Sequence, residues 1–172
     1  MTARWPLWAA LLLSACATTA PGPGEQPWTN GRISVRVEAS AIQVGQSLSA
    51  VFELRASSDD GELRLSSPLG NRLATLRWAP DRVALLTPQG ERRFANLDEL
   101  SRQALGESLP LAALPDWIAG RPWPNAAHSA TDSGFAQLGW QVTLTRRTDG
   151  VIEMRRPGPP AVSIRVIVDD PG

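Results

Sequence analysis

The chain contains no lysine, one cysteine and one histidine, and its 17 basic residues, all arginine, are balanced by 17 acidic ones. Without lysine it has neither the phosphate-holding residue of a Walker A loop nor an amine for Schiff-base chemistry. A single cysteine and a single histidine exclude metal sites built on clusters of those residues. A lone thiol makes no internal disulfide. The histidine, His128, stands in "PNAAHSATDS", a polar, alanine-rich segment that reads as a solvated loop. His128 with Ser129 and Asp132 is no triad, because nothing positions a nucleophile beside them. A net charge of zero offers no field to gather nucleic acid. These absences weigh against an enzyme, and they imply no cofactor and no nucleic-acid partner.

The cysteine, Cys16, closes an apolar run that starts at Trp5, and Arg4 is the only charge before Glu25. The run is far shorter than the ~20 residues that span a bilayer. A positive start, a short apolar centre and small residues before a cut site describe a secretory signal. Leu13-Ser14-Ala15-Cys16 resembles the lipobox of bacterial lipoproteins, in which the cysteine thiol receives diacylglycerol and becomes the first residue after cleavage. That resemblance implies a signal over residues 1–15, a lipidated Cys16, and stable anchoring by several acyl chains at ~0.8 kcal/mol per buried CH₂. Ala17 follows, not the aspartate that retains proteobacterial lipoproteins in the inner membrane, so the implied address is the outer membrane, facing the periplasm. Residues 16–30, rich in Ala, Pro, Gly and Thr, read as a tether. Residues 31–172 read as one domain of ordinary size.

Alternation at period two dominates the first half of that domain. Ile33, Val35 and Val37 share one face, opposite Arg32, Ser34 and Arg36. Leu48, Ala50, Phe52 and Leu54 repeat the pattern, then Leu63 and Leu65, then Ala74, Leu76 and Trp78. "DDG", "APD" and "PQG" punctuate the runs. Such runs read as antiparallel strands joined by hairpins, with one apolar face. The middle changes period. "NLDELSRQALG" places Leu97, Leu100, Ala104 and Leu105 at helical spacing between an Asn96/Glu99 capping box and a Gly106 cap. "LPLAALPDWIAG" carries an apolar stripe of Leu111, Leu114, Trp117 and Ile118, with Pro110 suited to a first turn and Pro115 breaking the segment into two turns. Strands return in "GFAQLGWQVTLTRR", as a hairpin around Gly139 or one long bent strand, and in "GVIEMRR" and "PAVSIRVIVDD".

The pattern is mainly β with a helical insertion: roughly ten to eleven strands, a number at which a sheet tends to curl. Helices across the concave face make a curved antiparallel half-barrel with an apolar interior. The pattern leaves open whether that interior is a ligand cavity or is filled by its own side chains.

The order "GRISV", "LRLSSPLG", "LPLAALPDWIAGRP" and "GW-V" after a glutamine, behind a lipobox, resembles the LolB family of outer-membrane lipoprotein receptors, from about Gly31 to Val168. The resemblance implies a monomeric receptor that takes lipoproteins from the periplasmic carrier LolA and places them in the outer membrane without nucleotide. It implies that the interior takes acyl chains, and that Leu69, between Pro68 and Gly70, protrudes and acts at the membrane. Candidate cavity residues are Phe52, Leu54, Leu63, Leu65, Leu76, Val142 and Leu144 on the sheet and Leu100, Leu114, Trp117 and Ile118 on the lid; plain core residues would carry the same signature. The arginines of "RLATLR", "ERR" and "TRR" are candidates for a carrier-docking surface, against a solvated strand face. The chain departs from the family pattern at Leu54, where an aromatic residue is usual, and in its last strand, which lacks a tryptophan. The alternatives are a lipid-anchored binding module for another apolar ligand, an outer-membrane assembly accessory, and a lipid-processing enzyme resting on His128 alone.

Overall fold

The structure, a computed structural model, describes residues 26–41, 44–57 and 59–170. Cys16, the lipobox and most of the tether lie outside them. Eleven strands form one antiparallel sheet: β1 (Thr29–Val37), β2 (Gln46–Ala56), β3 (Gly61–Ser66), β4 (Arg72–Ala79), β5 (Arg82–Thr87), β6 (Gly90–Phe94), β7 (His128–Thr131), β8 (Gly134–Gln137), β9 (Trp140–Thr143), β10 (Val151–Arg156) and β11 (Val162–Val168). Their order is β6-β5-β4-β3-β2-β1-β11-β10-β9-β8-β7. Each half is a run of hairpins, and pairing of β1 with β11 joins the halves, with Val35 opposite Ile164. The outermost strands, β6 and β7, do not pair with each other, so the sheet is open. β1 begins at Thr29, two residues before the domain boundary set at residue 31.

Helix α1 (Leu97–Leu105) forms as its caps dictate. The Asn96 side chain accepts a hydrogen bond from the Glu99 backbone N–H at 2.8 Å, the Glu99 carboxylate accepts one from Ala95 N–H at 2.7 Å, and Gly106 closes the helix at φ +73°. Helix α2 (Leu114–Ile118) is one turn and a half, and Pro115 lies in its first turn. A proline is tolerated there because that N–H has no helical partner to lose. The turn expected before Pro115 is present, with Ala113 N–H donating to Pro110 O.

The position of α2 requires the sheet to curl. Leu114 and Ile118 face Leu76 of β4 across an apolar space, while the Trp117 ring lies 6.4 Å from Phe135 of β8 and 6.1 Å from Trp140 of β9. In strand order β4 and β8 are seven spacings apart, ~34 Å in a flat sheet. A five-residue helix is only ~7.5 Å long. Both arms of the sheet therefore bend toward α2, giving the curved half-barrel. One core cluster joins the inner faces of β1, β2 and β8–β11 to α2; a second joins Leu76, Val83, Phe94 and Leu100 under α1.

Two expectations are corrected or resolved. His128 is not in a loop: it opens the edge strand β7, exposed, paired in register with Gln137. A short edge strand with all residues solvated carries no alternation to read. "GFAQLGWQVTLTRR" is a hairpin, β8–β9, around Leu138 and Gly139.

The outer face is held by charge. Glu62 of β3 stands opposite Arg55 of β2 and Arg77 of β4. It bridges Arg64 at 2.6 Å, Arg77 at 3.3 Å and Arg55 at 3.8 Å, and Trp28 is stacked by Arg55 and Arg64. Glu62 is only 9% exposed. Burial pushes its carboxyl up, but the hydrogen bond and charge of Arg64, then those of Arg77, outweigh this and hold it below the usual carboxylate range. A lowered folded-state value means stability that is present above the ordinary carboxylate pKa and lost as pH falls through the folded one. Glu62→Gln is expected to be less stable than the parent at neutral pH, with the two converging as pH falls below ~4; urea unfolding across a pH series measures the difference.

Candidate functional site

Between α2 and the inner faces of β1–β4 lies an apolar space lined by Ile33, Phe52, Leu54, Leu63, Leu76, Trp78, Leu111, Leu114, Pro115 and Ile118. Its cavity volume is about 10 Å³, no more than one water-sized probe. The interior is thus closed in this structure, with its own side chains meeting across it. Six of the candidate cavity residues line it: Phe52, Leu54, Leu63, Leu76, Leu114 and Ile118. The other five do not. Leu100 packs in the second cluster under α1. Trp117 and Val142 are fully buried in the main core, and Leu65 and Leu144 pack at its margin. Ile33, Trp78, Leu111 and Pro115 also line it, outside the candidate set, although the first three sit on apolar stripes legible in the sequence.

Beside this closed space is an open groove of about 570 Å³, bordered by Trp78, Leu111, Trp123, Leu138, Trp140 and Arg156 among others. Trp78 and Leu111 line both, so the two side chains form a boundary shared by the groove and the closed interior. Leu138 has φ +54° and Gly139 φ +77°, which is the type I′ hairpin geometry usually made by Asn-Gly. A leucine held there costs of order 1–2 kcal/mol, and here it places a half-exposed apolar side chain on the groove's border. Leu-Gly is not a recognisable I′ signal, and the residue was missed for that reason.

The lid is fixed by a few polar ties. The chief one is Gln137, 2% exposed. Its side-chain oxygen accepts from Trp117 Nε1–H at 2.7 Å and from Trp123 N–H at 2.9 Å; its nitrogen donates to Trp123 O at 2.8 Å and Ala126 O at 2.7 Å. All four hydrogen-bonding capacities of the amide are filled. Arg156 of β10 ties down the segment leading to the lid, donating to Ser108 O at 3.2 Å and bridging Glu107 at 2.6 Å. The Ser101 hydroxyl accepts from Leu109 N–H at 3.0 Å, and Arg147 donates to Ala119 O at 3.1 Å.

Leu69 sits at the tip of the β3–β4 hairpin. Gly70 N–H donates to Ser67 O at 2.9 Å, and Ser67 N–H to Asn71 O at 2.8 Å. Serine, proline and glycine at the first, second and fourth turn positions suit a type I turn, and Leu69 is not among the positive-φ residues. The side chain is 89% exposed, the most exposed large apolar residue among those described.

The arginines considered for carrier docking are engaged within the chain. Arg72 bridges Glu53, Arg77 bridges Glu62, Arg93 bridges Glu91 and Arg146 bridges Asp149, while Arg92 donates to Gln103. A concavity of about 680 Å³ on the outer face is walled by such pairs and suits a polar surface, not an acyl chain.

The family model described as outer membrane lipoprotein LolB matches residues 28–169. Proteins named outer-membrane lipoprotein LolB resemble the chain over most of its length. That of Chromobacterium violaceum is 31% identical over 169 residues, covering 92% of each chain. That of Cupriavidus necator is 30% identical over 182 residues, covering 95% of this chain and 92% of its own. That of Thiobacillus denitrificans is 35% identical over 148 residues, covering 77% and 76%.

Removing the Gln137 amide strands several buried polar groups. Gln137→Leu is expected to destabilise the fold by about 2–4 kcal/mol and to loosen α2, read by urea unfolding and by faster exchange of the Trp117 indole proton.

Proposed function

We propose that this chain, which belongs to the LolB family of outer-membrane lipoproteins, is a lipid-anchored receptor in the outer membrane that accepts lipoproteins from a LolA-like periplasmic carrier, holds their acyl chains in its apolar interior and releases them into the membrane. The observation that carries this reading is the apolar space under α2, closed in this structure and adjoining an open groove with which it shares Trp78 and Leu111. An acyl chain entering from the groove displaces α2 from Phe52, Leu54, Leu63 and Leu76. Each methylene that takes over those contacts contributes ~0.8 kcal/mol, so a long chain offsets the separation of lid and sheet.

No nucleotide is needed on this reading. Transfer runs from a weaker apolar site to a stronger one, and about 1.4 kcal/mol per tenfold in affinity is enough to set its direction. Leu69 acts after uptake. Burying its side chain in lipid contributes roughly 1.5–3 kcal/mol, too little to anchor a protein but enough to hold the hairpin tip at the bilayer while cargo leaves. The anchor is the diacylglyceryl group on Cys16.

Two experiments test this. Carrier loaded with a tagged lipoprotein is mixed with the chain, without nucleotide, and cargo is followed by pull-down. Cargo is expected to move to the parent and to Leu69→Glu alike, and only the parent is expected to pass it on to liposomes. If no cargo leaves the carrier while the chain is folded, the receptor reading fails and the binding module for another apolar ligand replaces it. In cells, Cys16→Ala is expected to abolish incorporation of radiolabelled palmitate and to release the protein from the membrane fraction; retained label would remove the anchor.

A further inference from the structure

Among the described residues four large apolar side chains are exposed: Val44 at 84%, Leu69 at 89%, Leu73 at 38% and Leu138 at 47%. Three of them lie at one end of β1–β4. Because these four strands are antiparallel in sequence order, the β1–β2 and β3–β4 connections emerge at the same end, the first further along because β2 continues from Val51, the last partner of β3, to Gln46, and the β2–β3 and β4–β5 turns emerge opposite. Val44 is in the first connection and Leu69 in the second. Leu73 follows it: Leu65 pairs with Ala74 and Ser66 with Arg72, so Leu73 is the extra residue of a bulge. That bulge leaves Arg72 and Leu73, adjacent in sequence, both exposed. Bulges commonly re-aim side chains in this way.

We propose that this end of β1–β4 is a lipid-contacting rim, in which Val44 enters the bilayer surface alongside Leu69. The inference rests on the membrane role given to Leu69 above and adds a second point of contact from a different hairpin. The chemistry favours a bilayer over a protein partner. The tips are convex and stand on separate hairpins; a Cβ added at Gly70 would meet nothing within 4 Å. Separate apolar tips insert independently into a fluid surface, whereas a protein partner needs one continuous complementary patch. The charges nearby are paired, Arg72 with Glu53 at 3.1 Å and Arg36 with Glu38 at 3.0 Å, so this end carries no net charge to repel a lipid surface, and both arginines have long apolar stems. Such side chains keep their heads in water while the stems cover apolar surface. Two contacts also fix an orientation that one contact leaves free to rotate.

The test uses the full acylated chain in vesicles of phosphatidylethanolamine and phosphatidylglycerol. Single variants Val44→Cys, Leu69→Cys and Asp81→Cys are labelled with an environment-sensitive nitrobenzoxadiazole dye. The parent, whose Cys16 thiol is acylated, serves as the unlabelled blank. Asp81 lies in the β4–β5 turn, at the opposite end. Dyes at positions 44 and 69 are expected to shift to the blue and to lose emission when the lipid acyl chains are brominated, and the dye at 81 is expected to do neither. Quenching at 69 with position 44 behaving like 81 overturns the rim and leaves the Leu69 reading intact. Quenching at neither 44 nor 69 removes both. Equal quenching at all three sites means the sheet lies flat on the bilayer, and the rim is again overturned.

Discussion

An open sheet with one apolar face has to cover that face or expose it to water, and almost every feature of this chain answers that constraint. Eleven strands supply more inner surface than a short lid can cover when flat. The sheet therefore bends until its two arms meet the same helix turn. Trp117 sits against Phe135 and Trp140 on one arm, while Leu114 and Ile118, on the same helix, face the residues of β1–β4. Curvature, a closed interior and a groove at its border all follow from one small cover serving both arms.

The two sides of that cover are bonded differently. Toward β8 it is held by Gln137, whose amide has every donor and acceptor occupied. Toward β1–β4 it meets only apolar side chains across a space of about 10 Å³. A hydrogen-bonded buried amide tolerates little displacement, because breaking it strands polar groups away from water. Apolar contacts are non-directional and are replaced at little cost by other apolar atoms. The lid is therefore fixed on one side and held only by non-directional contacts on the other, the property on which the proposed uptake of an acyl chain depends.

The outer face is built to stay as it is. Glu62 is shared among Arg55, Arg64 and Arg77, and Trp28 is stacked by two of those arginines. This network ties the start of the domain to β2–β4, the arm that faces the lid's exchangeable side. That arm is thereby braced from outside, so that in the proposed uptake of an acyl chain it is α2 that moves.

By itself the sequence determined the class of fold, the punctuation between strands, both caps of α1 and the exposed place of Leu69, because these depend on local periodicity and turn chemistry. The alternation also determined which side chains face inward. It did not determine which of them line the interior and which are plain core: Phe52 and Val142 carry the same signature, yet only Phe52 borders the closed space. That distinction depends on where α2 comes to rest, which is fixed by Gln137, twenty residues away from Trp117 in sequence. Likewise, His128 read as a loop because an exposed edge strand has no pattern, and Leu138 read as nothing because its positive φ is imposed by the hairpin around it. Only the tertiary structure decided these points, since each depends on contacts between segments whose sequences carry no mark of one another.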